Sequence, residues 1–349
     1  MIVGFLPYWL FEKTNSTYGK TISVLSYFAL TIDSDGTIVK LTNPREEDPG
    51  WFSLKSDTWT QHNQSIGKSN GKTSLTVHLA DEDVIELLMQ NPVQHAQNLV
   101  HDVSPIMKSY GFSDLNIDIE SFREATPSSQ AQFTAFLRTV TNEIRKNKMG
   151  TITLDISPSA FIRPFLIDPK AVEPYVDYLL LMAYDYHYTG SLIAGPVAPL
   201  GGVPTVRELD VETSLTNALN IYPPGKILLG IPLYGYEWET IRNEAGSATI
   251  PGGGVAASAK RVSELVSTCT NCTQGYDEIA KQPYVVFPDQ PASDFHVIYY
   301  ENEKSLRDKI SLAKKYHIAG IALWALGYET DPMFSALSEF KKYVWISKP

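Results

Sequence analysis

In the segment Ser113-Asp114-Leu115-Asn116-Ile117-Asp118-Ile119-Glu120, polar and acidic side chains alternate with Leu115, Ile117 and Ile119 in a stretch that otherwise has the composition of a buried strand. Successive side chains on a strand point to opposite faces, so Asn116, Asp118 and Glu120 form one polar row with a repeat of roughly 6.6 Å. Burying carboxylates costs several kcal/mol unless they are paired, hydrogen-bonded or protonated, which makes such a row expensive unless it is a site. Two close acids also push each other's proton affinities apart, and one of them becomes a proton donor near neutral pH. Glu120, last in the row, is the expected general acid.

A row of this kind needs a rigid frame. Short β-branched or apolar runs recur along the chain, mostly with amphipathic helical stretches between them, and this alternation predicts βα units around a parallel sheet. Eight runs are found: 2–9, 24–31, 74–79, 114–120, 151–158, 178–185, 227–234 and 318–324. Eight suit a closed (β/α)8 TIM barrel, whose active site lies at the C-terminal ends of its strands. The interval between the seventh and eighth runs is too long for one helix. It holds Pro251-Gly252-Gly253-Gly254, Cys269 and Cys272, and the strand-like Tyr284-Val285-Val286-Phe287. Residues 239–297 are therefore expected to form a small inserted α+β subdomain, with 1–238 and 298–349 forming the barrel.

Several strand ends carry polar side chains. The sixth run ends Met182-Ala183-Tyr184-Asp185-Tyr186-His187, the seventh Tyr234-Gly235-Tyr236-Glu237-Trp238 and the eighth Trp324-Ala325-Leu326-Gly327-Tyr328-Glu329. Acids, tyrosines and a tryptophan at one mouth suit a carbohydrate, because Tyr and Trp combine an apolar face with a polar edge. No Gly-rich strand-to-helix loop with a suitable lysine and no zincin-spaced His pair is present, so neither a phosphate site nor a metal site is expected. His187 is expected to be a hydrogen-bonded wall residue. Glu237, Trp238 and Glu329 are candidates for the rim.

The bulk composition narrows the partners. A net charge of -10 disfavours nucleic acid and anionic membranes, which require clustered Lys and Arg. No run approaches the length of an apolar membrane span. A hydrophobic content of 43% with 19% charged residues excludes disorder. The opening Met1-Ile2-Val3-Gly4-Phe5-Leu6-Pro7-Tyr8-Trp9 has the pattern of a first strand, without a basic n-region or cleavage site ahead of it. The two cysteines are too few for a four-Cys zinc site and are expected as a local disulfide or two free thiols. Glycosylation sequons occur at Asn15, Asn63 and Asn271.

Taken together, these motifs resemble glycoside hydrolase family 18, the chitinase and endo-N-acetylglucosaminidase group, over essentially the whole chain. Asn116, Asp118 and Glu120 fill the last three polar positions of its Asp-Gly-x-Asp-x-Asp-x-Glu signature, with Ser113 and Asp114 in place of the opening Asp-Gly. Met182, Tyr184 and Asp185 match its Met-x-Tyr-Asp motif, and Trp324 matches its closing tryptophan. Three departures stand out. Asn116 replaces an acid, as in some members of the bacterial cell-wall type. The third run reads Leu75-Thr76-Val77-His78-Leu79-Ala80 where many chitinases show a Gly-Gly pair, and Tyr236 stands where many carry arginine.

The resemblance implies catalytic roles for Glu120, Asp118 and Tyr184, and substrate binding by Asn116, Asp185, Met182, Trp324, Tyr234, Tyr236 and Tyr8. It implies substrate-assisted cleavage of β-1,4 bonds next to N-acetylglucosamine, without a cofactor, by a monomer acting outside the cell or in its envelope. Peptidoglycan, including spore cortex, and N-glycan cores are the alternative polymers to chitin. A silent sugar-binding barrel is the alternative from another class, although Glu120, whose loss usually marks such proteins, is present.

Overall fold

The computed structural model describes residues 1–14, 18–203, 208–288 and 295–346, with side chains described as far as residue 342. The sequon at Asn15 lies outside the described residues. Eight strands close a parallel barrel: Ile2–Pro7, Val24–Thr31, Lys72–Leu79, Asp114–Ile119, Thr151–Ile156, Tyr178–Leu181, Ile227–Pro232 and Gly320–Trp324. Numbered in chain order, neighbours around the barrel run one, eight, seven, six, five, four, three, two.

The observed strands follow the expected runs, and the ends that differ have local causes. Pro7 has no N–H to offer a ladder, and the chain turns at Tyr8–Lys13 into a 3₁₀ helix instead of remaining extended to Trp9. The sixth strand stops at Leu181, and Asp185, at the far end of the expected run, has a left-handed φ of 57° that cannot continue a strand. The seventh strand stops at Pro232, so Tyr234 and Tyr236 belong to a different sheet.

By contact density the chain divides into two units. The first comprises residues 1–182, 217–228 and 318–320. Its long helix Pro127–Lys146 starts with Pro in the first turn and Thr126 as cap, the Thr126 hydroxyl accepting from Ser129 N at 3.1 Å. The apolar side chains Phe133, Phe136, Leu137, Val140 and Ile144 then recur at helical spacing and are buried. Helix Pro92–Tyr110 ends at Gly111, whose φ of 73° suits a residue without Cβ.

The second unit comprises residues 183–216, 229–317 and 321–349. It carries a five-stranded antiparallel sheet in the order Thr249–Ser258, Tyr234–Thr240, Phe295–Tyr299, Gln282–Pro288, Thr273–Asp277. Residues 239–297 contain three of these strands and helix Ala259–Thr268, and the two remaining strands straddle the ends of that interval. The strands Tyr234–Thr240 and Phe295–Tyr299 pair directly, with Tyr236 opposite Tyr299 and Thr240 opposite Phe295. Ala257, Val262, Val285, Ile298 and Tyr300 form the core under the helix, and Cys269 and Cys272 form a disulfide just beyond it.

Where the chain leaves the last sheet strand, Glu301 and Lys309 are both fully buried, with Lys309 Nζ 3.0 and 3.1 Å from the two carboxylate oxygens. Gln282 Nε2 approaches the same carboxylate at 3.4 Å while its own oxygen accepts from Ala198 N. Helix Glu303–Lys315 begins immediately afterwards with an Asn302–Ser305 capping box.

Candidate active site

In the first unit the fourth strand pairs with the third in parallel register, Ser74 beside Asp114, Thr76 beside Asn116 and His78 beside Asp118. Residues paired in this way share a face, so the acid row of the fourth strand lies against a row of polar side chains on the third. Asp114 is buried and fully satisfied: Ser74 Oγ and Thr151 Oγ1 donate to it at 2.6 Å and Thr153 Oγ1 at 3.0 Å. Burial raises its pKa and the three hydroxyl bonds offset that only in part. It is a structural acid.

Further along the row the pattern changes. Asn116 donates its amide to Asp155 Oδ2 of the fifth strand at 2.9 Å. Asp118 is 3% exposed. Its Oδ2 lies 2.9 Å from His78 Nδ1, and its buried Oδ1 has no hydrogen-bond partner among the described residues. Glu120 is half-buried immediately beyond the strand, with its N–H donating to Leu79 O at 2.9 Å. The loop that follows is pinned by Glu82, whose carboxylate accepts from Ser121 Oγ at 2.9 Å and Phe122 N at 2.7 Å.

The charges of the row act on one another. Burial pushes the pKa of Asp155 well up and the charge of Asp118 adds to this, against a lowering by the Asn116 hydrogen bond. Burial works against the charged form of His78, but the hydrogen bond and charge of Asp118, with the charge of Glu120, outweigh it and the net shift is upward. One ligand atom each from His78, Asp118 and Glu120 lies within 4.8 Å of the others, a spacing that could also hold a cation. Glu120, Phe122, Asp155, Phe165, Ile167 and Met182 line a common cavity, which places Met182 beside the acid. Tyr8 follows the first strand, with its ring 4.9 Å from that of Trp9 in a T-shaped contact.

In the second unit Asp185 accepts from the phenols of Tyr234 at 2.5 Å and Tyr236 at 3.0 Å. Loss of water around its carboxylate raises its pKa, and the two phenols pull it back only in part. Tyr184 packs edge-on against Tyr234, ring centroids 6.5 Å apart. Trp324 and Tyr328 are half-buried against the cluster that contains Tyr234, Trp238 and Tyr299.

Two expected rim residues are not at a rim. Trp238 is fully buried with its indole N–H on Tyr188 O at 3.0 Å, and Glu237 is buried in an ion pair with Arg261, with His296 Nδ1 3.0 Å from its other oxygen. They are neighbours on one strand of the antiparallel sheet and so face its two sides, the Trp238 ring in the cluster with Tyr234 and Tyr299 and Glu237 on the opposite face. His187 Nδ1 lies 2.8 Å from Pro196 O, as a wall residue would.

The acid row at the carboxyl end of a closed parallel barrel places the chain among the (β/α)8 glycosidases. Residues 11–329 match glycosyl hydrolases family 18, and the chain belongs to that family. It is 25% identical over 326 residues to the cortical fragment-lytic enzyme of Bacillus subtilis (strain 168), covering 91% of this chain and 68% of that one. It is 26% identical over 265 residues to the glycosylase YdhD of the same organism, covering 74% of this chain but spanning only 58% of that relative's length. The crystal structure of Ostrinia furnacalis Group IV chitinase shares the fold, with a TM-score of 0.81 at 19% identity over 97% of this chain and 99% of that one.

Proposed function

We propose that the protein is a retaining glycosidase that cleaves β-1,4 bonds following N-acetylglucosamine, with the substrate's own 2-acetamido oxygen as nucleophile. The observation that carries this reading is Asp118: a buried carboxylate held on one oxygen by His78, with its other oxygen unpartnered among the described residues, in a cluster with Glu120. Such an oxygen suits an acetamido N–H, and its charge suits the positive oxazolinium ion that forms when the carbonyl oxygen attacks the anomeric carbon. Glu120 protonates the leaving oxygen and then activates water. Tyr184 and Asp185 hold the acetamido group, and Trp324 stacks under the distorted sugar. Asn116, Met182, Tyr8, Tyr234 and Tyr236 complete the binding set.

Bacterial cell-wall peptidoglycan, spore cortex included, is the polymer favoured over chitin, because the cortical fragment-lytic relative aligns with 91% of this chain. We place the enzyme outside the cell or in its envelope, acting as a monomer. Among the described residues no helix is long and apolar enough to cross a membrane.

Matched aryl glycosides test the mechanism. N-acetylglucosamine oligomers should be cleaved with retention while glucose oligomers stay intact, and comparable hydrolysis of both series, or an inverted product by NMR, would remove substrate assistance. Reducing-end analysis of chitooligosaccharides beside purified peptidoglycan tests the polymer.

The disulfide has no part in this chemistry. Cys269→Ser with Cys272→Ser should therefore leave turnover within about threefold, a barrier change under roughly 1 kcal/mol. A collapse of turnover in a protein still folded by circular dichroism would assign the Cys269–Cys272 turn a share in the reaction.

A further inference from the structure

We propose that His78 is a positioning residue for this reaction: its imidazole holds Asp118 in one orientation by one carboxylate oxygen and leaves the other oxygen for the substrate. The inference rests on the proposed roles of Asp118 and Glu120 and extends them to a third strand.

Three observations carry it. An ionised carboxylate only accepts, so the 2.9 Å contact is made by a proton on His78 Nδ1, which fixes the ring and the carboxylate relative to one another. The other polar neighbour in the row, Asn116, is neutral and spends its amide on Asp155, so it neither orients Asp118 nor shares a proton with it. Parallel register places His78 directly beside Asp118, which fixes the contact through two adjacent strands of the barrel wall and not through a loop. The titratable groups beside His78 are Asp118 of the fourth strand and Glu120 just beyond it. On the second-strand side it meets the Phe28 ring, centroids 5.4 Å apart, and the paired Thr31, neither of which carries charge.

His78→Ala and His78→Asn are compared with wild type on one N-acetylglucosamine oligosaccharide, with thermal melts as the folding control. His78→Ala should lose roughly thirtyfold or more in kcat with KM little changed, a loss in the range of positioning effects. His78→Asn, whose amide can replace the Nδ1 donor, should recover most of that rate. If His78→Ala does not fold, His78→Gln, whose amide is displaced from the Nδ1 position, replaces it and should show the same loss in kcat. A folded His78→Ala with unchanged kcat, or a His78→Asn no more active than the variant lacking the donor, overturns the proposal. Glu120→Gln measured alongside separates the two failures: an inactive Glu120→Gln with unaffected His78 variants sinks only the role of His78, whereas an active one sinks the assignment of the acid itself.

Discussion

Glu120→Gln is expected to lower kcat on an unactivated oligosaccharide at least about a hundredfold, the usual worth of a general acid, while the melting temperature stays nearly unchanged. The amide keeps the volume and much of the hydrogen bonding of the carboxyl but has no proton to give at neutral pH. Stability should be spared because Glu120 lies just past the fourth strand and its ladder contact is made by the backbone N–H to Leu79 O, which the substitution leaves intact. Neutralising it also removes a like charge from the neighbourhood of Asp118. The leaving group matters to the experiment, since a good one needs little protonation and would mask the loss. Near-normal turnover on the natural type of linkage would mean that another group donates the proton.

Lys309→Met should be the most destabilising of the single changes considered, by about 3–5 kcal/mol in denaturant unfolding. The side chain is fully buried against Glu301, and its loss leaves a carboxylate in a site where only Gln282 and the Ser305 hydroxyl remain to solvate it. The pair itself is a poor source of net stability, because two charges were desolvated to form it. Glu301→Gln combined with Lys309→Met should therefore recover more than half of the loss. Single and double variants of equal stability would show that the cost comes from packing and not from the uncompensated charge.

Much of this molecule is legible in its sequence. The barrel strands could be found because parallel strands buried on both faces are written as continuous apolar runs, such as Ile227-Leu228-Leu229-Gly230-Ile231. The acid row could be found because alternation across a strand is independent of tertiary context. His78, Asp155 and Glu82 were missed for a common reason. Each acts across to another element, His78 and Asp155 through strand register and Glu82 from the start of a helix onto a loop, and register between distant strands is not written in either strand alone. The third run visibly lacks the Gly-Gly pair of many chitinases, but what His78 contributes depends on the register that sets it beside Asp118. Glu237 and Trp238 differ from expectation because Pro232 ends the seventh strand and the residues from Tyr234 alternate between the faces of a second sheet, a switch that an unbroken run of strand-forming residues does not mark.

The direct pairing of Tyr234–Thr240 with Phe295–Tyr299 bears on how such a protein changes over evolution and how it can be re-engineered. The stem of the excursion is a two-stranded ribbon whose tips, Thr240 and Phe295, already sit opposite one another. Both stem strands are also paired on their outer sides, Tyr234–Thr240 with Thr249–Ser258 and Phe295–Tyr299 with Gln282–Pro288, and Val262 and Val285 pack with Ile298. The entropy of closing a loop grows only slowly with its length, so the connections between these strands can lengthen or shorten while the paired strands themselves must stay. The exchangeable unit is therefore the whole five-stranded sheet with its helix, and variation that spares it belongs in the connections between its strands.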